Sequence, residues 1–422
     1  MTSTNSTASY DVLVVGAGPA GAAASYWLAE AGYDVVAVER KAFPRDKTCG
    51  DGLTPRAVGS LRDMGLEDRL ATFHRHRGLR TIAHGITLEL PWPEHPDFPS
   101  YGYVVRRRDL DELVAEHAVK AGATVRTSTE ALEPVRERGL VTGAVVRPKG
   151  GAPEEIRARY VVVADGANSR FGRALGTSRD RSYPQGMAIR GYYASPMADD
   201  PWIESALDVR DRQGRSLPGY GWVFPLGDGT VNVGIGLLST FKGWREVNTS
   251  HLMDEWAATA PPGWGFSPDS KLSEPTGGRL PMAGSVGPKA GPSWLVVGDA
   301  AGSVNPFNGE GIDYAYETGR MAADAIDEAL RSGDGLALQR YPVRLETEYG
   351  LYFKVARLFA EVIGRPALLR ELTRVGMRSQ TLMEWVLRIM ANLLRPGELG
   401  PAEAAYRAAA TLARLVPEPR RY

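Results

Sequence analysis

A short apolar run, YDVLVV, opens the pattern; it gives way to helical periodicity through AGAAASYWLAEAG and, after a glycine stop, to a second apolar run, DVVAVER. This change of period predicts strand, helix, strand. LDELVAEHAVKAGATVRTS reads as a helix ending near Gly122 with a strand behind it, and RYVVVADG as another buried strand. In the middle of the chain MAIRGYYAS, IESALDVR and VNVGIGLLS alternate apolar and polar positions, which predicts a mostly antiparallel sheet. Helical patterning returns after Gly311 and dominates the end. The expected fold class is α/β, with no internal repeat. A Rossmann-like dinucleotide domain is assembled from residues 1–80, 100–180 and 280–335, a sheet domain from 81–99 and 181–279 is interleaved with it, and residues 336–422 form a helical region.

Composition removes several alternatives. The chain has 422 residues, 43% of them hydrophobic, which is enough for a large core. Lys plus Arg and Asp plus Glu are both 50, so no basic excess draws it onto nucleic acid. The opening MTSTNSTASY is polar and reads as a loose leader rather than a signal peptide. No apolar run reaches the roughly 18–20 residues of a membrane-spanning helix, since WLVVGDAAGSV is interrupted by Asp299. Any membrane contact is therefore expected to be peripheral. A single cysteine, Cys49, has no disulfide partner, which suits a reducing cytoplasm, and six scattered histidines show no metal-ligand spacing.

Three separated blocks carry the chemistry. Gly16-Ala17-Gly18-Pro19-Ala20-Gly21 follows a strand and begins a helix. Small residues at Gly16 and Gly18 let a pyrophosphate reach the backbone, Gly21 lets helix and strand pack closely, and the helix N-terminus favours negative charge. Glu39, followed by Arg40, ends the next strand, where a carboxylate can hold ribose hydroxyls. Near residue 300, Asp299 ends a buried strand before a glycine-rich turn into a helix beginning near Gly311 and Ile312. That arrangement suits the ribityl chain and the N1/O2 edge of a flavin, so it selects FAD over NAD. Asp165 and Gly166 follow a further strand in a position able to close over the flavin. Arg107, four residues before Asp111, is either a cofactor contact or a solvated arginine at a helix start.

These blocks resemble the para-hydroxybenzoate hydroxylase-type flavoprotein fold. With PRDKTCGDGLTPRAV and PGYGWVFPLGDGTVNVGIG, the chain resembles the geranylgeranyl reductase family within that fold over nearly its whole length. HRGLR, FPSYG, NPFNGEGIDYAYETGR and MRSQTLM bring it nearest to bacterial members acting on menaquinone. The resemblance implies an FAD-dependent reductase that saturates an isoprenoid double bond, one isoprene unit of the menaquinone side chain or a geranylgeranyl lipid. The electron donor is left unidentified. The Cys49-Gly50-Asp51-Gly52 loop is expected to approach the flavin. Cys49 either delivers a proton or packs against the cofactor, and Asp51 is the competing acid. Thr54 and Pro55 resemble a helix cap and first helical residue. Tyr220 and Trp222, with Phe224, share one strand face and are either cation-tolerant walls of the site or plain core. A flavin hydroxylase using NADPH, a halogenase and a lipid-binding protein with structural FAD are the alternatives.

The end of the chain raises a further question. From Arg365 to Tyr422 there are ten arginines against five glutamates. Leu382, Val386, Ile389, Met390 and Leu393 recur at helical spacing beside Trp385, with Arg378 and Arg388 among them. The segment is either a surface helix dipping into anionic headgroups on the inner face of the cell membrane or a helix packed on the core.

Overall fold

The apolar run that opens the chain forms the strand Ser9–Val15, paired between the parallel strands Val35–Val38 and Glu154–Val163, and both of its faces are covered, Val12 and Val14 by one core cluster and Leu13 and Val15 by another. A strand covered on both sides needs no polar alternation, and Val12, Leu13 and Val14 are fully buried. In this computed structural model residues 9–417 are described, except 212, 242, 243, 245, 246 and 396. Residues 1–8 of the expected polar leader and residues 418–422 of the arginine-rich end lie outside the described residues, while Ser9 and Tyr10 begin the first strand.

The first sheet has the order Thr124–Arg126, Val35–Val38, Ser9–Val15, Glu154–Val163, Leu140–Pro148, Thr129–Glu137, and Trp294–Val296 also pairs in parallel with Glu154–Val163. The helix Pro19–Glu30 crosses from the first strand to the second and packs against the helix Ile312–Ser332. Small residues make that close packing possible: a Cβ on Gly319 would lie 2.5 Å from the Ala20 carbonyl oxygen. Thus the beginning of the chain and the block after residue 300 are joined in one layer.

The second sheet runs Thr276–Pro281, Gln185–Ala194, Thr230–Leu238, Gly219–Pro225, Trp202–Ala206, Gly78–Ala83, Ile86–Pro91. All of its pairs are antiparallel except Trp202–Ala206 with Gly78–Ala83. Both edge regions start earlier or end later than the pattern suggested: Gly78–Ala83 straddles position 80 and Thr276–Pro281 straddles position 279. Each strand runs unbroken through that position.

The C-terminal helices Leu351–Ile363, Pro366–Gly376, Gln380–Met390 and Pro401–Leu415 pack against one another. Gln380–Met390 docks on the strand Ile86–Pro91, burying Met383 and Leu387 with Leu90 and Ile203. Leu382, Val386, Ile389 and Met390 of the same helix line a cavity, which Met383 and Leu387 also touch. Of the two readings of this segment, its packing supports the inward one. No described helix is long and apolar enough to cross a membrane.

Candidate functional site

One cavity of ≈ 1390 Å³ collects the separated blocks. The residues expected from sequence to hold the cofactor, with Cys49, Asp51, Tyr220 and Trp222, line it except Ala17 and Gly21, which are buried behind it. Gly21 acts in packing, since a Cβ there would meet the Gly16 carbonyl oxygen at 1.8 Å. The Ala17 N–H donates to Glu39 Oε2 at 3.2 Å and the Lys41 N–H to Oε1 at 3.1 Å, fixing the carboxylate at the end of its strand. Arg40 beside it is exposed.

The fit to FAD rests on the donors and acceptors left over. The helix Pro19–Glu30 has Gly18 as N-cap, without a side-chain cap and without an acidic residue in its first turn. Its end facing the cavity therefore keeps its positive partial charge and unsatisfied N–H groups for an anion. The helix Ile312–Ser332 likewise begins at an uncapped Gly311, where a Cβ would lie 3.5 Å from Asp299 Oδ1. Asp165 Oδ1 is buried without a hydrogen-bond partner in the cavity wall, while Oδ2 accepts from the Phe171 N–H at 3.0 Å. Burial raises its pKa. An acceptor so placed suits a hydroxyl-bearing or N–H-bearing ligand.

Arg107 is not a solvated arginine. Its guanidinium makes a two-pronged pair with Asp111 at 2.7 and 2.9 Å, and Arg45 reaches the same carboxylate at 3.1 Å. Its backbone N–H donates to Asp51 Oδ1 at 3.1 Å, so it ties the Cys49–Gly52 loop to a second segment.

Asp51 has no solvent exposure and a φ of 66°. Besides Arg107 N–H it accepts from Tyr192 Oη at 2.6 Å and Asn232 Nδ2 at 2.7 Å. Burial pushes its pKa up, while the bonds from Tyr192 and Asn232 pull it down. Three donors aimed at one carboxylate make it an anchor for the loop more readily than a proton donor. Cys49, partly buried, has its carbonyl held by the same Asn232 amide at 2.9 Å.

The aromatic strand Gly219–Pro225 presents Tyr220, Trp222 and Phe224 to the cavity, with neighbouring ring centroids 6.0 and 6.1 Å apart. Trp222 Nε1 donates to Asn232 Oδ1 at 2.9 Å, and Tyr220 Oη to the Asn308 carbonyl at 2.6 Å. Phe224 packs so closely on the loop that a Cβ at Gly50 or Gly52 would come within 3.0 Å of its ring. A Cβ at either position would have to push the Phe224 ring aside by a few tenths of an ångström.

Thr54 does not cap the helix Pro55–Asp63 through its side chain. Its hydroxyl donates instead to Glu310, a cavity-lining carboxyl that the sequence reading passed over. The signal was present as an acidic residue between two glycines in NGEG, directly before the helix that begins at Ile312.

Beyond the aromatic row the cavity runs between aliphatic walls. Leu79, Ile203 and Leu207 come from the sheet and Leu382, Val386 and Met390 from the helix above it. It continues among the last helices to Val362, Leu372, Val375, Leu412 and Val416, which are exposed to solvent.

A dinucleotide fold with two open helix N-termini, the carboxylates of Glu39 and Asp299 on the cavity wall and an adjoining apolar tunnel defines an FAD-dependent oxidoreductase. The FAD binding domain family matches residues 9–208. A menaquinone reductase of Mycolicibacterium smegmatis is 43% identical over 387 residues, covering 91% of this chain and 92% of the relative. Digeranylgeranylglycerophospholipid reductase 1 of Methanopyrus kandleri is 33% identical, covering 84% and 90%. A geranylgeranyl bacteriochlorophyll reductase-like protein of Thermoplasma acidophilum superposes with a TM-score of 0.79 at 24% identity, covering 95% of this chain and 99% of that one, and supports the fold alone. The chain belongs to the flavoprotein reductase family that includes the menaquinone and digeranylgeranylglycerophospholipid reductases.

Proposed function

We propose that the protein saturates an isoprenoid carbon–carbon double bond, with one isoprene unit of the menaquinone side chain as the substrate. The observation that carries this reading is the continuity of the cavity, from the dinucleotide loop past the aromatic row into an aliphatic tunnel. A hydroxylase of small aromatic rings has no use for such a tunnel, whereas a polyprenyl chain fills one. The relatives' activities support the same choice.

Bound FAD, once reduced by a donor that is still unidentified, supplies a hydride. The residues do the rest. Apolar walls exclude water from an alkene that carries no activating carbonyl. The faces of Tyr220, Trp222 and Phe224 offer negative quadrupole to the cationic character that develops at one alkene carbon as the other is protonated. Asp51, Asn232 and Arg107 hold the Cys49–Gly52 loop against that aromatic row. Cys49 lines the cavity as one candidate proton source.

Delivery of so apolar a substrate favours contact with a bilayer. The apolar rim at Val362, Leu372, Val375, Leu412 and Val416 has exposed Arg365, Arg370, Arg374 and Arg414 on the same helices or next to them. This rim, rather than the inward-facing Leu382 and Val386, is the surface that would enter anionic headgroups. Co-sedimentation with anionic liposomes at low salt that is lost in Leu372→Asp/Leu412→Asp would bear this out; equal sedimentation of the variant would remove the rim from the account.

The substrate is tested by incubating dithionite-reduced holoenzyme with menaquinone or with a geranylgeranyl lipid, then reoxidising the products in air before mass spectrometry. Reoxidation matters because reduction of the quinone ring alone also adds two hydrogens. A persistent gain of about two mass units with menaquinone is expected. Gain only on the geranylgeranyl lipid would move the substrate to that class, and no gain on either would contradict the reading.

A further inference from the structure

The loop that precedes the helix Ile312–Ser332 carries a carboxyl group whose setting the flavin fold does not require. Glu310 lines the cavity between Gly311, at the expected flavin edge, and Tyr220 of the aromatic row. Thr54 donates to its Oε1 and Asn308 Nδ2 to its Oε2 at 3.2 Å, and the Asn308 carbonyl in turn holds the Tyr220 hydroxyl at 2.6 Å. The side chain is therefore oriented from two sides at the junction between cofactor and tunnel.

Its neighbourhood has more acid than base. Arg56 pairs with Glu317 through two bonds of 2.7 Å and stands 3.7 Å from Asp313. Asp313 is fully buried, and neither of its carboxyl oxygens has a hydrogen-bond partner. Around Glu310 the charged and titratable groups are Arg56 from the helix Pro55–Asp63, Asp313, Tyr314 and Glu317 from the following helix, Tyr220 from the aromatic strand, and Tyr352 from Leu351–Ile363. Three carboxyls share one guanidinium. Full ionisation would leave two uncompensated charges in a poorly hydrated space, so the cluster retains protons at neutral pH.

Resting on the reductase reading above, we propose that Glu310 is the catalytic acid that protonates the substrate alkene. The Oε–H bond breaks, the alkene π pair forms the new C–H bond at one carbon, and the hydride from reduced FAD closes the other. The two electrons come from the flavin, which ends oxidised, and the Glu310 carboxylate regains its proton from water. Burial is the largest influence on this carboxyl and pushes its pKa up to about 7, against the hydrogen bonds from Thr54 and Asn308. An acid with that value is available at neutral pH and leaves a usable base behind.

The test compares Glu310→Gln with Cys49→Ser, both as FAD-loaded enzyme. Infrared difference spectra between pH 6 and pH 9 should show a protonated carboxyl band that titrates near pH 7 in wild type and is missing in E310Q. In single turnover, the wild-type rate should fall tenfold per pH unit above about 7. E310Q should be slower by roughly 10²- to 10⁴-fold and lose that limb, with FAD content unchanged. The proposal is overturned by an E310Q enzyme within threefold of wild type, by a pH limb that survives in E310Q and disappears in C49S, or by infrared difference spectra that are the same for wild type and E310Q. If wild type reduces no prenyl lipid at all, the reductase reading fails and the donor role with it. The infrared band, which needs no substrate, separates that failure from a wrong choice of residue.

Discussion

Replacing Asp51 by alanine should loosen the Cys49–Gly52 loop in the cavity wall. The substitution leaves three buried donors without an acceptor: Tyr192 Oη, Asn232 Nδ2 and the Arg107 N–H. Each orphaned donor costs about 1–3 kcal/mol, but the losses overlap because the tyrosine and the amide can relax toward water admitted from the cavity. The residue also sits at φ 66°, where aspartate is better tolerated than alanine, which adds up to about 1 kcal/mol. A net loss of roughly 4 kcal/mol is expected. Asp51→Asn keeps the volume, the turn preference and one acceptor oxygen, so it should lose only about 1–2 kcal/mol. Urea unfolding at a fixed excess of FAD, followed by flavin and tryptophan fluorescence, measures both variants under the same linkage. A D51A protein within about 1 kcal/mol of wild type, with full FAD content, would refute the anchoring role. A D51N protein of normal stability but without turnover would move Asp51 from anchor to acid.

Two further outcomes follow from the packing and the buried histidine. Gly21→Ala puts a Cβ 1.8 Å from the Gly16 carbonyl oxygen, so helix and strand must separate; purified G21A should carry little FAD and melt several degrees lower, and wild-type FAD affinity would contradict the close-packing argument. His76 is fully buried, accepts from Trp92 Nε1 at 3.1 Å, and has its pKa lowered by burial to about 3. The unfolded chain takes up a proton below about pH 6.5 that the folded one refuses, so the stability from neutral His76 is complete above pH 6.5 and declines as pH falls toward 3. Between pH 6.5 and pH 5 this amounts to about 2 kcal/mol, a slope that His76→Gln should lose in the same urea assay.

Local signals explain what the sequence made legible. The glycine triplet, the strand-ending Glu39 and the block at Asp299 each declare themselves within a few residues, because strand, turn and helix N-terminus are adjacent in the chain. Asp51 was visible as a candidate but its role was not, since its side-chain partners Tyr192 and Asn232 lie 141 and 181 positions away. Thr54 looks like a cap by every local rule, yet its hydroxyl is drawn off by Glu310, 256 residues later. The amphipathic helix Gln380–Met390 was ambiguous for a physical reason: an apolar face reads the same whether it meets lipid, core or a lipid-binding tunnel. Here it meets the sheet with Met383 and Leu387 and the tunnel with Val386 and Met390. The exposed apolar rim lies on the flanking helices, where individual leucines and valines stand among arginines and give no continuous run to notice.

The central claim is that reduced FAD and a prenyl double bond meet in one cavity. Its most direct test is anaerobic single turnover of the fully reduced holoenzyme, with flavin absorbance and air-reoxidised product followed in the same sample. Two substrates are compared: menaquinone and the same quinone with its side chain fully saturated. The account expects one flavin reoxidised per double bond lost with the first, and a product heavier by about two mass units. The second should leave the flavin reduced on the same timescale. Equal reoxidation by both, with no side chain altered, would mean that electrons pass only to the quinone ring, and the proposed alkene chemistry would be wrong.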